Sequence, residues 1–205
     1  MAYHDHGSAD LEAAGPVLHW YDFVCPFCYL GQDRSAVLAE RGFAVTSLPY
    51  QIHPEIPPQG VESGPRTGPM YEFLENEASA LSLPLHWPPR LPNSRYALGA
   101  AEWVRRHQPA AFDCFRESMF ESHFVLGEDI GDPALVQRRA AICGVDTVAL
   151  DAAMRTSEPG DDLAESAQAA RRAGLTGTPA WLVGTRLIQG LQPRSVFETV
   201  ELDTV

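Results

Sequence analysis

Val17-Leu18-His19-Trp20-Tyr21-Asp22-Phe23-Val24 runs directly into Cys25-Pro26-Phe27-Cys28, and a helix-forming stretch follows. An apolar run that breaks into two thiols three positions apart reads as a strand, a turn and the start of a helix. Thiols so spaced on one helical turn can close a disulfide. The unpaired N–H groups and dipole at a helix start stabilise a thiolate and can draw a cysteine pKa from about 8.5 into the range ~3.5–7.5. Cys25, at the edge of the turn, is expected to be the exposed nucleophile, and Cys28, one turn inward, the shielded resolving thiol. Pro26 suits the first helical position, where no N–H is needed. Phe27 is apolar and no histidine or lysine stands between the thiols, so the helix end is expected to supply most of the thiolate stabilisation.

Working outward, the helix continues through Gln32 to Arg41, and Gly42 stops it. The β-branched and aromatic content of Phe43 to Leu48 predicts a second strand, which completes a βαβ unit with the cysteines at the carboxyl end of its first strand. Chemistry in open α/β sheets favours that end. Pro54 to Pro69 reads as a loop. From Pro69 to about Arg172 the pattern is helical, with Met70, Phe73, Leu74 and Leu81 on one face of the first helix. Asn93 is a candidate N-cap for a helix reaching His107, and Pro109 opens a helix carrying Phe112, Phe115 and Met119. Asp132-Pro133 opens a helix that Gly144 ends, and Val148 to Met154 and Asp161 to Ala173 give two more. The tail returns to strands: Ala180 to Val183 and Arg186 to Gln189 flank Gly184-Thr185, a hairpin signal, before a closing helix over Pro193 to Leu202. The expected fold class is α/β, a thioredoxin-like βαβ…ββα order with a large all-helical insertion. The expected segments are 15–60 and 174–205 for the two parts of the sheet domain and 61–173 for the insertion.

The 205 residues suffice for a substantial core, and no run approaches the ~18 consecutive apolar residues of a membrane span. The opening Met1 to Gly7 lacks the basic flank and apolar segment of a secretory signal. The expected location is therefore cytoplasmic, where a CxxC is more often catalytic or metal-binding than structural. A formal charge of −12 opposes nucleic-acid partners and anionic membranes. All fifteen basic residues are arginines, which removes Schiff-base and lysine general-base chemistry.

Cys114, among Phe112, Phe115 and Met119, and Cys143, after Ile142, read as small core residues, with a disulfide between them as the less favoured alternative. Structural zinc needs four ligands and a lone CxxC offers two, so no metal is expected. His4 and His6 lie in a polar tail, and His19, His53, His86, His107 and His123 are scattered. Ser8, Ser63 and Ser195 lack a nucleophile-elbow pattern. Asp22, near the end of the first strand, either lies under the cysteines and influences proton transfer or is a strand-end carboxylate facing solvent.

The strand leading into Asp22 to Gly31, with Thr176-Gly177-Thr178-Pro179-Ala180-Trp181 and Gly190-Leu191-Gln192-Pro193 far downstream, resembles the DsbA-type thioredoxin-fold oxidoreductases. Within that family the chain resembles the FrnE-like branch, which is similar to the 2-hydroxychromene-2-carboxylate isomerases and kappa-class glutathione transferases. The resemblance runs from about Val17 to Leu202. It implies that Pro179 is a cis-proline facing the cysteines, with Thr178 before it presenting backbone to an extended substrate. Asn93-Ser94 matches an Asn-Ser/Thr pair that lies near the bound thiol in the isomerase and transferase relatives, although helix capping explains Asn93 equally well.

The expected activity is thiol–disulfide exchange with protein or small-molecule disulfides or dithiols, through Cys25 and Cys28. Thr178, Pro179, Phe27 and Asn93 are the candidate substrate contacts, and Trp20, Phe27, Tyr29 and Trp181 lie near the motifs in sequence. No bound cofactor is required, since the dithiol carries the electrons; glutathione is a possible co-substrate. A monomer or a homodimer fits. The alternative is a glutathione-dependent isomerase or transferase acting on an aromatic or polyketide-like compound, a branch that usually has serine where this chain has Cys25.

Overall fold

Strand β1 (Pro16–Tyr21) lies at the centre of a four-stranded sheet in the computed structural model, which describes residues 16–202. His4, His6 and the outer ends of segments 15–60 and 174–205 fall outside the described residues. β1 pairs in parallel with β2 (Ala44–Pro49), Val17 opposite Val45, and antiparallel with β5 (Ala180–Val183), Leu18 opposite Leu182. β5 pairs antiparallel with β6 (Arg186–Gln189), so the order is β2-β1-β5-β6. Helix α1 (Pro26–Glu40) is the crossover from β1 to β2. Gly42 ends it at φ 87, a left-handed conformation that suits a residue without Cβ. Gly184, at φ 59, turns the β5–β6 hairpin.

Between β2 and β5 run α2 (Pro69–Ala80), α3 (Arg95–His107), α4 (Pro109–Phe124), α5 (Pro133–Ile142), α6 (Thr147–Met154) and α7 (Glu158–Arg172). The insertion is not all-helical as expected: it carries one short antiparallel pair, β3 (Val61–Glu62) with β4 (Arg90–Leu91). Asp132 and Asp146 cap α5 and α6 by accepting from backbone N–H groups of the first turn. α8 (Arg194–Thr199) closes the fold and is shorter than the pattern predicts, because Val200 turns extended at ψ 136.

One apolar cluster runs without a break from Tyr21, Phe23 and Leu30 beside the cysteines through Leu98, Phe115 and Phe120 into Leu163. The helical block is thereby packed onto the end of the sheet that carries the CxxC. A second cluster, with Val17, Leu38, Trp181 and Phe197, lies between the sheet and α1 and α8.

Three further expectations are corrected. Met70, Phe73, Leu74 and Leu81 do not share one buried face: Met70 and Phe73 are 48% and 46% exposed, because α2 buries only Leu74 and Ala78. α7 begins at Glu158 rather than Asp161, with Pro159 in its first turn. Cys114 and Cys143 are not core residues. Cys114 is exposed, off the buried Phe112–Phe115–Met119 stripe of α4, and it forms a disulfide with the half-buried Cys143 at the C-cap of α5.

Two buried histidines weaken the fold in acid. Burial, then Arg116, lowers the His19 pKa to about 3; burial, then Arg66, lowers that of His123 to about 4. Below pH 6.5 the unfolded chain therefore binds protons that the folded chain refuses, and stability falls as pH falls. Each histidine is expected to cost roughly 2 kcal/mol between neutral pH and pH 5. Urea midpoints measured across that window check this, and a midpoint that stays constant would refute it.

Candidate active site

Cys25 is the N-cap of α1, in extended conformation at φ −87 and ψ 112, and Pro26 occupies the first turn. The turn closes through Cys25 N–H to Asp22 O (3.2 Å) and Cys28 N–H to Cys25 O (3.0 Å). Both thiols are free. The Cys25 thiol donates to the carbonyl oxygen of Thr178 (3.4 Å), and the Asp22 N–H donates to Cys28 Sγ (3.5 Å). Cys25 is not the open nucleophile expected: it is 3% exposed and Cys28 0%, because the helical block covers the helix mouth.

The two thiols are driven apart in acidity. Burial raises the Cys25 pKa, but hydrogen bonds from the Cys28 thiol, the Thr178 side chain and the Cys28 N–H outweigh it, leaving Cys25 below the usual thiol value. Burial, followed by the Cys25 neighbour, pushes Cys28 well above it. Side chains therefore join the first-turn Cys28 N–H in lowering Cys25, and a thiolate at this site belongs on Cys25. The Thr178 hydroxyl oxygen is buried and unsatisfied elsewhere, so it is available to that thiolate.

The Thr178-Pro179 peptide bond is cis, as the Gly-Thr-Pro segment implied. Its loop is held from behind. Gly190 N–H donates to Pro179 O (2.8 Å), and Gln189 Oε1 accepts from the backbone and hydroxyl of Thr176. Gly31 lets α1 approach: a Cβ there would stand 3.1 Å from Trp181 Cη2 and 3.4 Å from Pro179 Cγ. Gly177, with open space where a Cβ would lie, leaves the front of the loop clear.

Asp22 lies inside, fully buried. Its carboxylate accepts from Val24 N–H (3.2 Å) and Ile52 N–H (2.8 Å) and is joined by the Ser94 hydroxyl. Burial raises its pKa, against the pull of those donors. The carboxylate fastens the segment before the cysteines to the strand-β2 exit and the start of α3. Strand periodicity marked Asp22 without revealing these partners. Arg34, also buried, ties α1 to Glu77 of α2 and to Gln192 O (3.2 Å).

Of the aromatics near the motifs, Trp20, Tyr29 and Trp181 are buried and serve packing. Phe27, between the two cysteines, is half-buried, its ring stacked at 6.5 Å on the exposed Phe73 of α2, so an apolar lip lies beside the cysteines. Sequence periodicity grouped Met70 and Phe73 on one face with Leu74 and Leu81. Asn93 gives both ends of its amide to the protein: Oδ1 accepts from Arg95 N–H (2.9 Å) and Gln51 Nε2 (3.1 Å), and Nδ2 donates to Ile56 O (2.5 Å). It caps α3 from one position before the N-cap, Ser94, and lines an open cavity of about 860 Å³ whose wall contains neither cysteine. Among the described residues no three His, Cys, Asp or Glu side chains are grouped to hold a metal ion, and no helix is long and apolar enough to cross a membrane.

A family model described as DSBA-like thioredoxin domain matches residues 16–200. The fold is similar to that of a probable DsbA oxidoreductase from Streptomyces coelicolor, with a TM-score of 0.77 and 21% identity over 89% of this chain and 86% of that one. It is also similar to a cytosolic disulfide reductase, DsbM, from Pseudomonas aeruginosa with GSH, with a TM-score of 0.69 and 19% identity over 90% and 93%. A 2-hydroxychromene-2-carboxylate isomerase gives a TM-score of 0.68 and 20% identity over 86% and 89%.

Proposed function

We propose that this chain, which belongs to the DSBA-like thioredoxin domain family, is a thiol–disulfide oxidoreductase working through Cys25 and Cys28. The observation that carries this reading is the paired environment of the two thiols: Cys25, lowered in pKa, against the Thr178 carbonyl of a cis-proline loop, with Cys28 raised in pKa behind it. The Cys25 thiolate attacks a substrate disulfide, forming a mixed disulfide and expelling one substrate thiolate, which takes up a proton. Cys28 then loses its proton and attacks Cys25 Sγ, expelling the second substrate thiolate. Two electrons have passed to the substrate, and a Cys25–Cys28 disulfide remains. Two monothiols such as glutathione restore the dithiol and leave as their disulfide, so no bound cofactor is needed. The reverse sequence oxidises a dithiol.

Cys28, with its raised pKa, needs a proton acceptor, and the Asp22 carboxylate, itself raised in pKa, is the buried base nearest in sequence to the pair. Asp22→Asn is expected to slow release from the mixed disulfide roughly tenfold or more at neutral pH, with the deficit shrinking as pH rises and hydroxide substitutes. Stopped-flow resolution of a preformed adduct at several pH values checks it; an unchanged rate removes Asp22 from the proton path.

Phe27 and Phe73 favour substrates with an apolar residue beside the reacting sulfur. Within the family, the Cys-Pro-Phe-Cys-Tyr-Leu-Gly and Gly-Thr-Pro motifs support the FrnE-like branch, and a cytoplasmic reaction fits a relative described as a cytosolic reductase. The test runs two assays side by side. Turnover of a protein disulfide with glutathione as reductant is the expected result. Rapid isomerisation of a hydroxychromene substrate with no change in thiol count would overturn it in favour of the isomerase reading.

A further inference from the structure

We propose that Cys114–Cys143 is a second dithiol–disulfide couple, one that exchanges with small monothiols in the folded protein by attack on Cys114. This goes beyond the chemistry of Cys25 and Cys28 and does not depend on it.

The bridge joins α4 to the C-cap of α5 at the protein surface, with Cys114 exposed and Cys143 half-buried. Structural disulfides are usually shielded, whereas exposed ones have higher potentials and are the labile class. Beside this bridge lies an open groove of about 760 Å³, bordered by Gln32 of α1, Leu83, Glu117 of α4 and Arg139 of α5. That volume is in the range that receives small molecules, and the mixture of polar, charged and apolar walls suits a peptide-like thiol such as glutathione. Neither Cys25 nor Cys28 lines the groove, so the two couples meet the solvent at different places.

The two sulfurs are not equivalent. An incoming thiolate reaches the exposed Cys114 and forms a bond to its Sγ; the Cys114–Cys143 bond breaks, and Cys143 leaves as a thiolate and takes up a proton. Cys143 sits at the carboxyl end of α5, where the helix dipole disfavours an anion, so it is the poorer leaving group of an adduct and the bridge is favoured over the mixed disulfide. A second monothiol attacks the outer sulfur of the adduct, leaving Cys114 as a thiol and releasing the small-molecule disulfide. Overall, two monothiols are oxidised and one protein disulfide is reduced to two thiols. In a reducing compartment such a bond is set by the thiol pool rather than fixed at folding.

The experiment uses the full chain under native conditions, equilibrated in glutathione buffers, quenched in acid, alkylated and read by peptide mass, so that each of the four cysteines reports separately. The expected result is that thiols at positions 114 and 143 appear together while near-UV circular dichroism remains that of the folded protein. In the single variants, Cys143→Ser should take up glutathione at Cys114 roughly tenfold faster than Cys114→Ser takes it up at Cys143. Should either variant fail to fold, the unsubstituted chain still gives the paired readout. The proposal is overturned if the bridge survives excess reduced glutathione until urea unfolds the chain, or if Cys143 is the faster site. Failure of Cys25 and Cys28 to pair in the same buffers would instead count against the proposed function, so the two failures are separable.

Discussion

Cys25→Ser is expected to abolish exchange at this site, lowering turnover of a disulfide substrate by roughly 10³-fold or more, since Cys25 is the thiol of lowered pKa that lies against the cis-proline loop. Cys28→Ser is expected to fail differently. Attack still occurs, but the mixed disulfide has no internal thiol to break it, so the variant accumulates a covalent substrate adduct at Cys25. Peptide mass spectrometry after acid quench distinguishes the two: an adduct at position 25 on Cys28→Ser, and none at position 25 or 28 on Cys25→Ser. The asymmetry follows from the geometry. Cys25, with its lowered pKa, lies against Thr178 O on the loop that would receive substrate, whereas Cys28 is fully buried and contacts Asp22 N–H. Adducts forming on Cys28 in preference to Cys25 would contradict this assignment.

Trp181→Ala is expected to remove about 3–5 kcal/mol of stability, the usual cost of emptying a fully buried aromatic site. The indole fills the space between the sheet and α1: its ring stacks on His19 at 4.8 Å, meets Phe197 edge-on at 4.7 Å, and donates from Nε1 to Ser35 Oγ at 2.9 Å. Loss of the ring leaves a cavity and an unpaired hydroxyl on α1. It also removes the surface against which Gly31 brings α1 up to Pro179, so the distance between Cys25 and the cis-proline loop is no longer fixed. Urea unfolding measures the first effect. The second is a fall in exchange rate at temperatures where the variant is still folded. A variant with the stability of the parent would show that the indole does not support the sheet.

What was legible in the sequence was local. Pro26 at the helix start, Gly42 at its end, Asp132 as a cap and Gly184-Thr185 in the hairpin each act within a few residues, and each element formed where its signal lay. The cysteine pair at the strand-to-helix junction and the cis-proline before β5 were readable because their motifs are short and specific. Properties set by packing between distant segments were not readable. An i, i+3 pattern grouped Met70 and Phe73 with Leu74 on one face, but which part of that face finds a partner depends on where α1 lies. Aromatic neighbours in sequence made Cys114 look like core, yet one step around α4 from Phe115 is another face of the helix, and Cys143 arrives there only through α5. The hold of Asp22 on Ile52 and Ser94 likewise needs the β2 exit and α3 to converge on the cysteine loop. The burial of Cys25 itself depends on the helical block folding over the sheet end.

The central claim is that Cys25 and Cys28 form one reversible two-electron couple, and it is tested most directly by equilibrating the native chain across glutathione buffers and counting alkylated thiols at each position. The account predicts that Cys25 and Cys28 lose and regain alkylation together, with a single midpoint between about −270 and −120 mV, the span of thioredoxin-like and DsbA-like couples. Thiols at 25 and 28 that titrate independently, or that remain unpaired in excess oxidised glutathione, would contradict it.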